Sequence, residues 1–322
     1  MIFSLPEKRN AWSRKNFRKS AYPNSIIWRK KMEKRANSFV EKWHSVYFFM
    51  PVFEQPVKMP SLKEFEQAMT GAFGRIDFLA DSPQMPRKAS DLLGAALWEH
   101  PAYYQKEDRS VPSQLVLYGP DLFDRSLWDD QIIAQFWDCQ PDRQAFAARC
   151  RYSLTASNMM AANLPPMAQY RIMADYADLI LELFPECIGI YWPHSQRLVP
   201  RESFARSEWN SPELHFLDGG LNIRFFNITD SDEMLFDTLG LTAIGLPDLQ
   251  LHCKELEPND AVLFLKNLAA YLYRQGDVIQ DGNTVEGIGG GKWPCRHEDA
   301  LAGPQRVVLD ILPGKYAGGD RA

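Results

Sequence analysis

The pattern of hydrophobic and polar positions predicts a chain in which strands and helices alternate. The apolar run 45–53 is rich in aromatic and β-branched residues, which is typical of a buried strand. After it, Ser61 and Glu64 have the spacing of a capping box, in which two side chains satisfy free amide groups at the start of a helix. Apolar residues at helical spacing follow, and Gly71 and Gly74 are expected to end that helix.

The middle of the chain repeats this alternation around one long amphipathic segment. Residues 165–184 begin with two prolines and place apolar residues on one helical face, so they predict the best helix of the protein. Residues 81–112 contain four prolines and predict short helix mixed with loop. Short strands are predicted at 75–80, 114–118, 152–156 and 187–192.

The last third of the chain continues with strands around a second amphipathic helix. Residues 221–228 and 234–237 predict a hairpin or meander, and 259–273 predict the helix. Further strands are expected at 246–253 and 307–312. We therefore predict an α+β fold with mixed or antiparallel sheets and helices packed on one face. A duplicated strand–helix–strand unit is an alternative that the pattern leaves open.

Charge divides the chain into a basic leader and an acidic body. Of 36 basic and 41 acidic residues, residues 1–45 hold twelve and three, so this leader has a net charge of +9. The remaining 24 basic and 38 acidic residues give the body a net charge of −14, which argues against a nucleic-acid-binding body. We predict a poorly ordered leader at 1–44 and α+β units at 45–145 and 146–322, with one continuous domain after the leader as the alternative.

The chain shows no sign of export or membrane insertion. No secretory signal follows the basic residues, and no segment approaches about 18 consecutive apolar residues. Five cysteines form no Cys-x-x-Cys pair and are expected to be reduced thiols in the core. These features predict a cytoplasmic protein that does not bind membranes.

Two segments contain residues suited to a cofactor or a metal ion, but neither has the necessary spacing. The glycine-rich segment 287–293 lacks the first glycine of a phosphate-binding loop and has Trp293 where Ser or Thr is needed, so we predict a surface loop. His252, Cys253, Cys295 and His297 lack the paired spacing of a structural zinc site. We therefore expect no cofactor and no metal.

One set of short segments carries a family resemblance: 136–139, 183–185, 237–241, 245–252, 267–272, 276–279 and 281–285. These segments resemble a bacterial family without a functional name, domain of unknown function 4261. The resemblance covers roughly residues 45–290 and implies no activity, cofactor or catalytic residue. Asn283 stands where the family typically has a second aspartate in Asp-Gly-Asp-Thr.

Two hypotheses of function follow. The first is a non-catalytic, cytoplasmic protein-binding module with a basic protein partner, for instance an immunity or accessory protein of an interbacterial toxin system. The alternative is an enzyme of unknown reaction whose acid–histidine site lies within residues 237–284, because carboxylate–histidine groups perform general acid–base catalysis. Nucleic-acid binding is expected only through the basic leader. The candidate catalytic residues are Asp237, Asp248, His252, Asp281 and Thr284.

Overall fold

The computed structural model describes residues 46–79, 92–209 and 211–319. The basic leader predicted at 1–44, with its nucleic-acid hypothesis, lies outside these residues. The described residues fall into two compact units, an N-terminal unit that ends at Gly220 and a C-terminal unit that begins at Leu221.

The N-terminal unit is built on one antiparallel sheet of seven strands. The strand order is β2-β3-β4-β5-β1-β6-β7. Its elements are β1 (Phe48–Phe53), α1 (Leu62–Phe73), β2 (Ile76–Phe78), β3 (Leu92–Tyr104), β4 (Arg109–Leu122), α2 (Asp130–Ile133), α3 (Arg143–Arg149), β5 (Tyr152–Met159), α4 (Pro166–Leu183), β6 (Gly189–Trp192), β7 (Arg197–Pro200), α5 (Arg201–Arg206) and α6 (Leu217–Gly220).

Helices α1 and α4 cover one face of this sheet. Helix α1 contacts β2, β3 and α4, while α4 contacts β5. The predicted capping box is present, because Ser61 accepts from the amide of Glu64 and the Glu64 carboxylate accepts from the amide of Ser61. The helix ends at Gly74, where φ is +72°, and Gly71 lies inside it. The prediction that Gly71 helps to end the helix was therefore wrong.

An aromatic cluster forms the centre of the N-terminal unit. Trp192 is fully buried, and its ring lies 4.9 Å from that of Phe49 and 5.8 Å from that of Phe204. Gly219 in α6 faces the indole so closely that a Cβ atom there would overlap it. Large aromatic side chains therefore fill the core at this cluster.

The longest hairpin of the unit was not predicted. Residues 92–104 and 109–122 form β3 and β4, although 81–112 predicted helix and loop. Pro101 and Pro112 lie opposite each other, and the register shifts between Leu97 and Pro101. Because prolines are tolerated at such irregularities, they did not exclude strands here.

The C-terminal unit is built on a six-stranded mixed sheet covered by one long helix. The strand order is β11-β12-β13-β10-β9-β8, with β10 and β13 parallel and the other neighbours antiparallel. Helix α7 contacts β8, β9 and β10. The elements are β8 (Asn222–Asn227), β9 (Glu233–Leu239), β10 (Asp248–Lys254), α7 (Pro258–Gln275), β11 (Thr284–Glu286), β12 (Lys292–Asp299) and β13 (Val307–Ile311).

The two sheets confirm the predicted α+β class, with one antiparallel and one mixed sheet. The predicted division between residues 145 and 146 falls inside the N-terminal unit, where β4 and β5 pair with each other. The two sheets differ in strand order, so the alternative of a duplicated unit gains no support. The five cysteines are free and buried, as expected of core residues. In the part of the chain that the structure describes, no helix is both long and apolar enough to span a bilayer.

Candidate functional site

Strands β9 and β10 place three of the predicted site residues on one face of the mixed sheet. Alternate residues of a strand share a face, so Asp248 and His252 point to the same side of β10. Gln250, between them, lies opposite Asp237 of β9 in the register. We call this side, opposite α7, the polar face. It comprises Arg224, Asp237, Asp248, Gln250, His252 and Asp310.

Two arginines and two aspartates form a buried ion network on the polar face. Arg224 donates to both carboxylate oxygens of Asp237, at 2.8 Å and 2.5 Å. Arg306, which immediately precedes β13, donates to Asp237 at 2.7 Å and to Asp248 at 3.0 Å. Both carboxylates are 0% exposed, and two cations balance two anions. We call these four residues the ion network.

Arg306 also joins the network to the surrounding backbone. Its guanidinium donates to the carbonyl of Thr238 and to two carbonyls of the β12–β13 connection, those of Ala302 and Pro304. Burial lowers the pKa of Arg306, but the charges of Asp248 and Asp237 outweigh burial and raise this pKa above its ordinary value. Arg306 therefore stays charged, and its hydrogen bonds hold the β12–β13 connection against the polar face.

The turn between β9 and β10 supplies the remaining hydrogen bonds of Asp248. A short 3₁₀ helix, Leu241–Ile244, lies between Gly240 and Gly245, both of which have positive φ. The backbone therefore takes a tight path between the two strands. Asp248 accepts from the hydroxyls of Thr238 and Thr242 and from the amide of Leu241.

The other predicted site residues lie apart from the ion network. The imidazole Nε2 of His252 is 3.1 Å from a carboxylate oxygen of Glu233. Asp281 is paired with His297, whose Nδ1 is 2.9 Å from its carboxylate. Thr284 is exposed on β11. The structure thus joins Asp237 and Asp248 through Arg306, whereas the five candidates do not form one cluster.

The same residues can be assessed for metal binding. Across residues 46–79, 92–209 and 211–319, no group of three or more His, Cys, Asp or Glu side chains is arranged to hold a metal ion. Cys253 and Cys295 lie on separate strands, and both thiols are buried. Asp230 and Asp232 lie in the turn between β8 and β9, Glu233 begins β9, and Asp237 of the same strand is buried.

The glycine-rich segment differs in part from its prediction. Gly289 and Gly290 are exposed in the loop between β11 and β12, as expected of a surface loop. However, Trp293 is buried in β12 and packs against Phe264 of α7, with ring centres 5.1 Å apart. Gly287 lies against the same indole, which leaves no room for a side chain there. The loop is therefore anchored by a core residue.

Sequence reasoning missed a second cluster, in the N-terminal unit. His215 lies between Asp218, at 2.8 Å from Nδ1, and Asp178 of α4, at 3.2 Å from Nε2. Ser207 donates its hydroxyl hydrogen bond to Asp218 rather than to the imidazole. Because carboxylates occupy both ring nitrogens, His215 is not placed to activate the serine. The only signal in the sequence was the three-residue spacing of His215 and Asp218.

This cluster predicts a loss of stability at alkaline pH. Burial lowers the pKa of His215, but its hydrogen bonds and charge interactions with Asp178 and Asp218 raise the pKa to about 9. Because an unfolded histidine titrates near pH 6.5, the stabilisation is complete below about pH 6.5 and is lost as the pH rises through 9. We expect the free energy of unfolding, measured by urea denaturation, to fall between pH 7 and pH 10.

The variant His215→Gln is the matched control because glutamine keeps polar atoms but cannot take up the proton. The difference in unfolding free energy between wild type and His215→Gln should shrink as the pH rises over this range. A difference that stays constant from pH 6 to pH 10 would contradict the assignment of a charged imidazole.

Comparison with known proteins identifies one segment of the chain. No curated protein and no solved structure matches the chain. The ion network and the turn of the candidate site fall largely within the segment that does match a family. The sequence analysis expected the resemblance to cover roughly residues 45–290. The match instead begins at residue 237 and continues past residue 290 to include β13. Residues 237–312 match the model of the family described as domain of unknown function (DUF4261), which confirms the resemblance for this segment.

Proposed function

We propose that this protein is a non-catalytic, cytoplasmic protein-binding module whose partner is a basic protein. An immunity or accessory protein of an interbacterial toxin system is one concrete form of this function. The observation that supports it is a set of exposed large side chains on one face of the antiparallel sheet of the N-terminal unit.

The strand register defines this surface. Helices α1 and α4 cover the side of the sheet where Leu115 and Leu117 are fully buried. Residues of β4 on the opposite side align with neighbours on β3 and β5, so their side chains form rows across three strands. We call this side the open face. Its rows are Leu92–Tyr118–Thr155, Gly94–Val116–Ser157 and Ala96–Gln114–Met159.

Large side chains on the open face remain in contact with water. Tyr118, in the first row, is 54% exposed, and Met159, in the third row, is 42% exposed. Trp98 lies on β3 two residues after Ala96 of the third row, and it is 42% exposed. Aromatic residues and methionine are enriched at protein interfaces, and exposed apolar surface of this kind marks sites of association. These three side chains are therefore suited to a protein partner.

Charge supports a basic partner. The chain outside residues 1–45 carries a net charge of −14. Asp77 lies on the open face beside Trp98, whose indole donates to it at 2.8 Å, and Asp121 lies at the other end. The guanidinium of Arg75 stacks on Trp98, 5.1 Å from the ring centre. Negative charge at both ends of an apolar surface favours approach of a positively charged protein.

Affinity purification of the tagged full chain from its native cells tests this function. The double variant Tyr118→Ser/Met159→Ser removes exposed apolar surface from the open face. The matched control Leu263→Ser/Tyr271→Ser removes comparable side chains from α7, where they are 56% and 48% exposed. We expect one basic, stoichiometric partner that wild type and the control retain, and that the open-face variant releases.

Two results would contradict the proposal in different ways. A clean preparation without any stoichiometric partner would argue against the binding function. A partner that remains bound to both double variants would instead remove the open face as its site. Because charges steer this association, the partner is also expected to dissociate more readily as the salt concentration rises.

A further inference from the structure

The described structure begins at one edge of the open face. Strand β1 lies beside β5, with Phe48 opposite Ser157 of the second row. A backbone hydrogen bond one residue earlier in β1 continues this pairing. Val46, two residues before Phe48, therefore lies beside Met159 of the third row, and its side chain points to the same side of the sheet. Residues 1–45 thus join the sheet at the open face.

Exposed side chains surround this point of the sheet. Val46 is 45% exposed, and its neighbour Met159 and the nearby Trp98 are each 42% exposed. The second row is partly covered, because Leu79 packs over Gly94 so closely that a Cβ atom there would lie 2.9 Å from its Cδ1 atom. Among the described residues, the end of the open face nearest Val46 therefore presents apolar surface that another segment can cover.

Residues 26–35 have the composition that fits this surface. They begin with Ile26, Ile27 and Trp28, and five of the next seven residues are Lys or Arg. On the open face, Asp77 accepts from the indole of Trp98 at 2.8 Å, and one guanidinium already stacks on the same ring. Carboxylates and aromatic rings both attract cations. The surface therefore offers contacts to the apolar end and to the basic end of this segment.

The length of the intervening chain allows the contact. Residues 36–45 are ten residues, which span up to about 33 Å when extended. The open face measures about 14 Å along β5 from Thr155 to Met159 and about 14 Å across from β1 to β3. Segment 26–35 can therefore reach every row. A short tether also gives a segment an effective concentration of about millimolar at its site, so even weak contacts are occupied.

We propose that residues 26–35 dock on the open face of their own chain and cover Val46, Met159 and Trp98. The net charge of +9 on residues 1–45 and of −14 on the remaining chain favours this contact. The docking needs no partner, so it stands apart from the proposed function. Its consequence for regulation, that a basic partner has to displace this segment from the open face, rests on the proposed function.

Paramagnetic NMR on the purified full chain tests the docking. A nitroxide label is placed on the variant Ser25→Cys, next to the segment, and the five native thiols are buried and therefore poorly accessible to the label. We expect loss of the Met159 methyl signal and its return when the nitroxide is reduced. Met173 of α4, which is 1% exposed on the helix-covered side of the sheet, should keep more of its signal. An unchanged Met159 signal, or equal losses at both methyl groups, would overturn the docking.

A mixed sample separates docking within one chain from docking onto a second copy. Half of the chains carry the nitroxide without isotope labels, and the other half carry isotope labels without the nitroxide. Docking within one chain leaves the Met159 signal of this mixture intact. A loss as large as in the doubly labelled chain would assign the open face to a second copy and would overturn the proposal.

The variant Trp28→Ser tests the segment itself. Trp12→Ser is the matched control, because it makes the same change elsewhere in residues 1–45. In the labelled chain, Trp28→Ser should restore the Met159 signal, whereas Trp12→Ser should leave it lost. The same outcome for both variants would exclude residues 26–35 as the docked segment.

Charge reversal on the open face tests the site. Asp77→Lys places a cation where the basic end of the segment is expected, so the Met159 signal of the labelled chain should return. Asp232→Lys changes the net charge equally at an exposed position in the turn between β8 and β9, and it should have little effect. If both variants restored the signal equally, attraction to the whole acidic chain would explain the contact, and the assigned site would be wrong.

Discussion

Replacement of Arg306 by methionine is expected to lower the free energy of unfolding of the C-terminal unit by about 3–5 kcal/mol, as is typical when one partner of a buried ion pair is removed. Methionine removes the arginine that donates to Asp248 and leaves Asp237 with Arg224. The carbonyl oxygens of Ala302 and Pro304 also lose their donor. Urea denaturation, followed by a probe in this unit, measures the loss.

Arg171→Met is the control for this substitution. Arg171 pairs with Asp175 on α4 at 3.7 Å, and the two side chains are 79% and 47% exposed. Solvent-exposed pairs contribute about 0–1 kcal/mol, so the control should lose no more than that. If both variants lost equally little, the ion network would not be an important source of stability.

Replacement of Gly219 by alanine should be the most damaging small substitution in the N-terminal unit. The added methyl group would overlap Cε2 and Nε1 of Trp192, which Phe49 and Phe204 confine on other sides. Overpacking of a well-filled core costs about 1–3 kcal/mol and occasionally more, and we expect the upper end because the indole cannot move aside. The measurement is the unfolding free energy of this unit.

The variant Gly71→Ala makes the same chemical change, but we expect it to raise the stability of the unit. Gly71 lies in α1, and a Cβ atom there meets nothing within 4 Å. Because glycine is unfavourable inside a helix, this variant should be more stable than wild type by about 0.5–1 kcal/mol. Destabilisation of the same size by both substitutions would argue against the contact between Gly219 and Trp192.

Local sequence signals predicted the helices well. The capping box of α1 and the apolar face of α4 depend on residues within one or two turns of each other, and both appear as expected. The strands β3 and β12 were missed for a different reason. Proline and glycine normally interrupt strands, and only the pairing partner reveals that Pro101 lies at a register shift.

The candidate site was predictable only in part. The strand predicted at 246–253 implied that Asp248 and His252 share a face, because alternate residues of a strand point to the same side. The two arginines could not be foreseen, since Arg306 is 69 residues from Asp237 and carries no local motif. Likewise, His215 meets Asp178 across 37 residues. The topology of the fold determines which distant charged residues meet. The spacing of charged residues along the chain therefore does not predict these pairs.

The position of Arg306 in the chain has a consequence for biosynthesis. A ribosome delivers Arg224, Asp237 and Asp248 long before Arg306 and β13 emerge, so in the nascent sheet Asp237 already has an arginine while Asp248 does not. Burial of unpaired charge is strongly unfavourable. The ion network of the C-terminal unit can therefore be completed only after translation has passed β13.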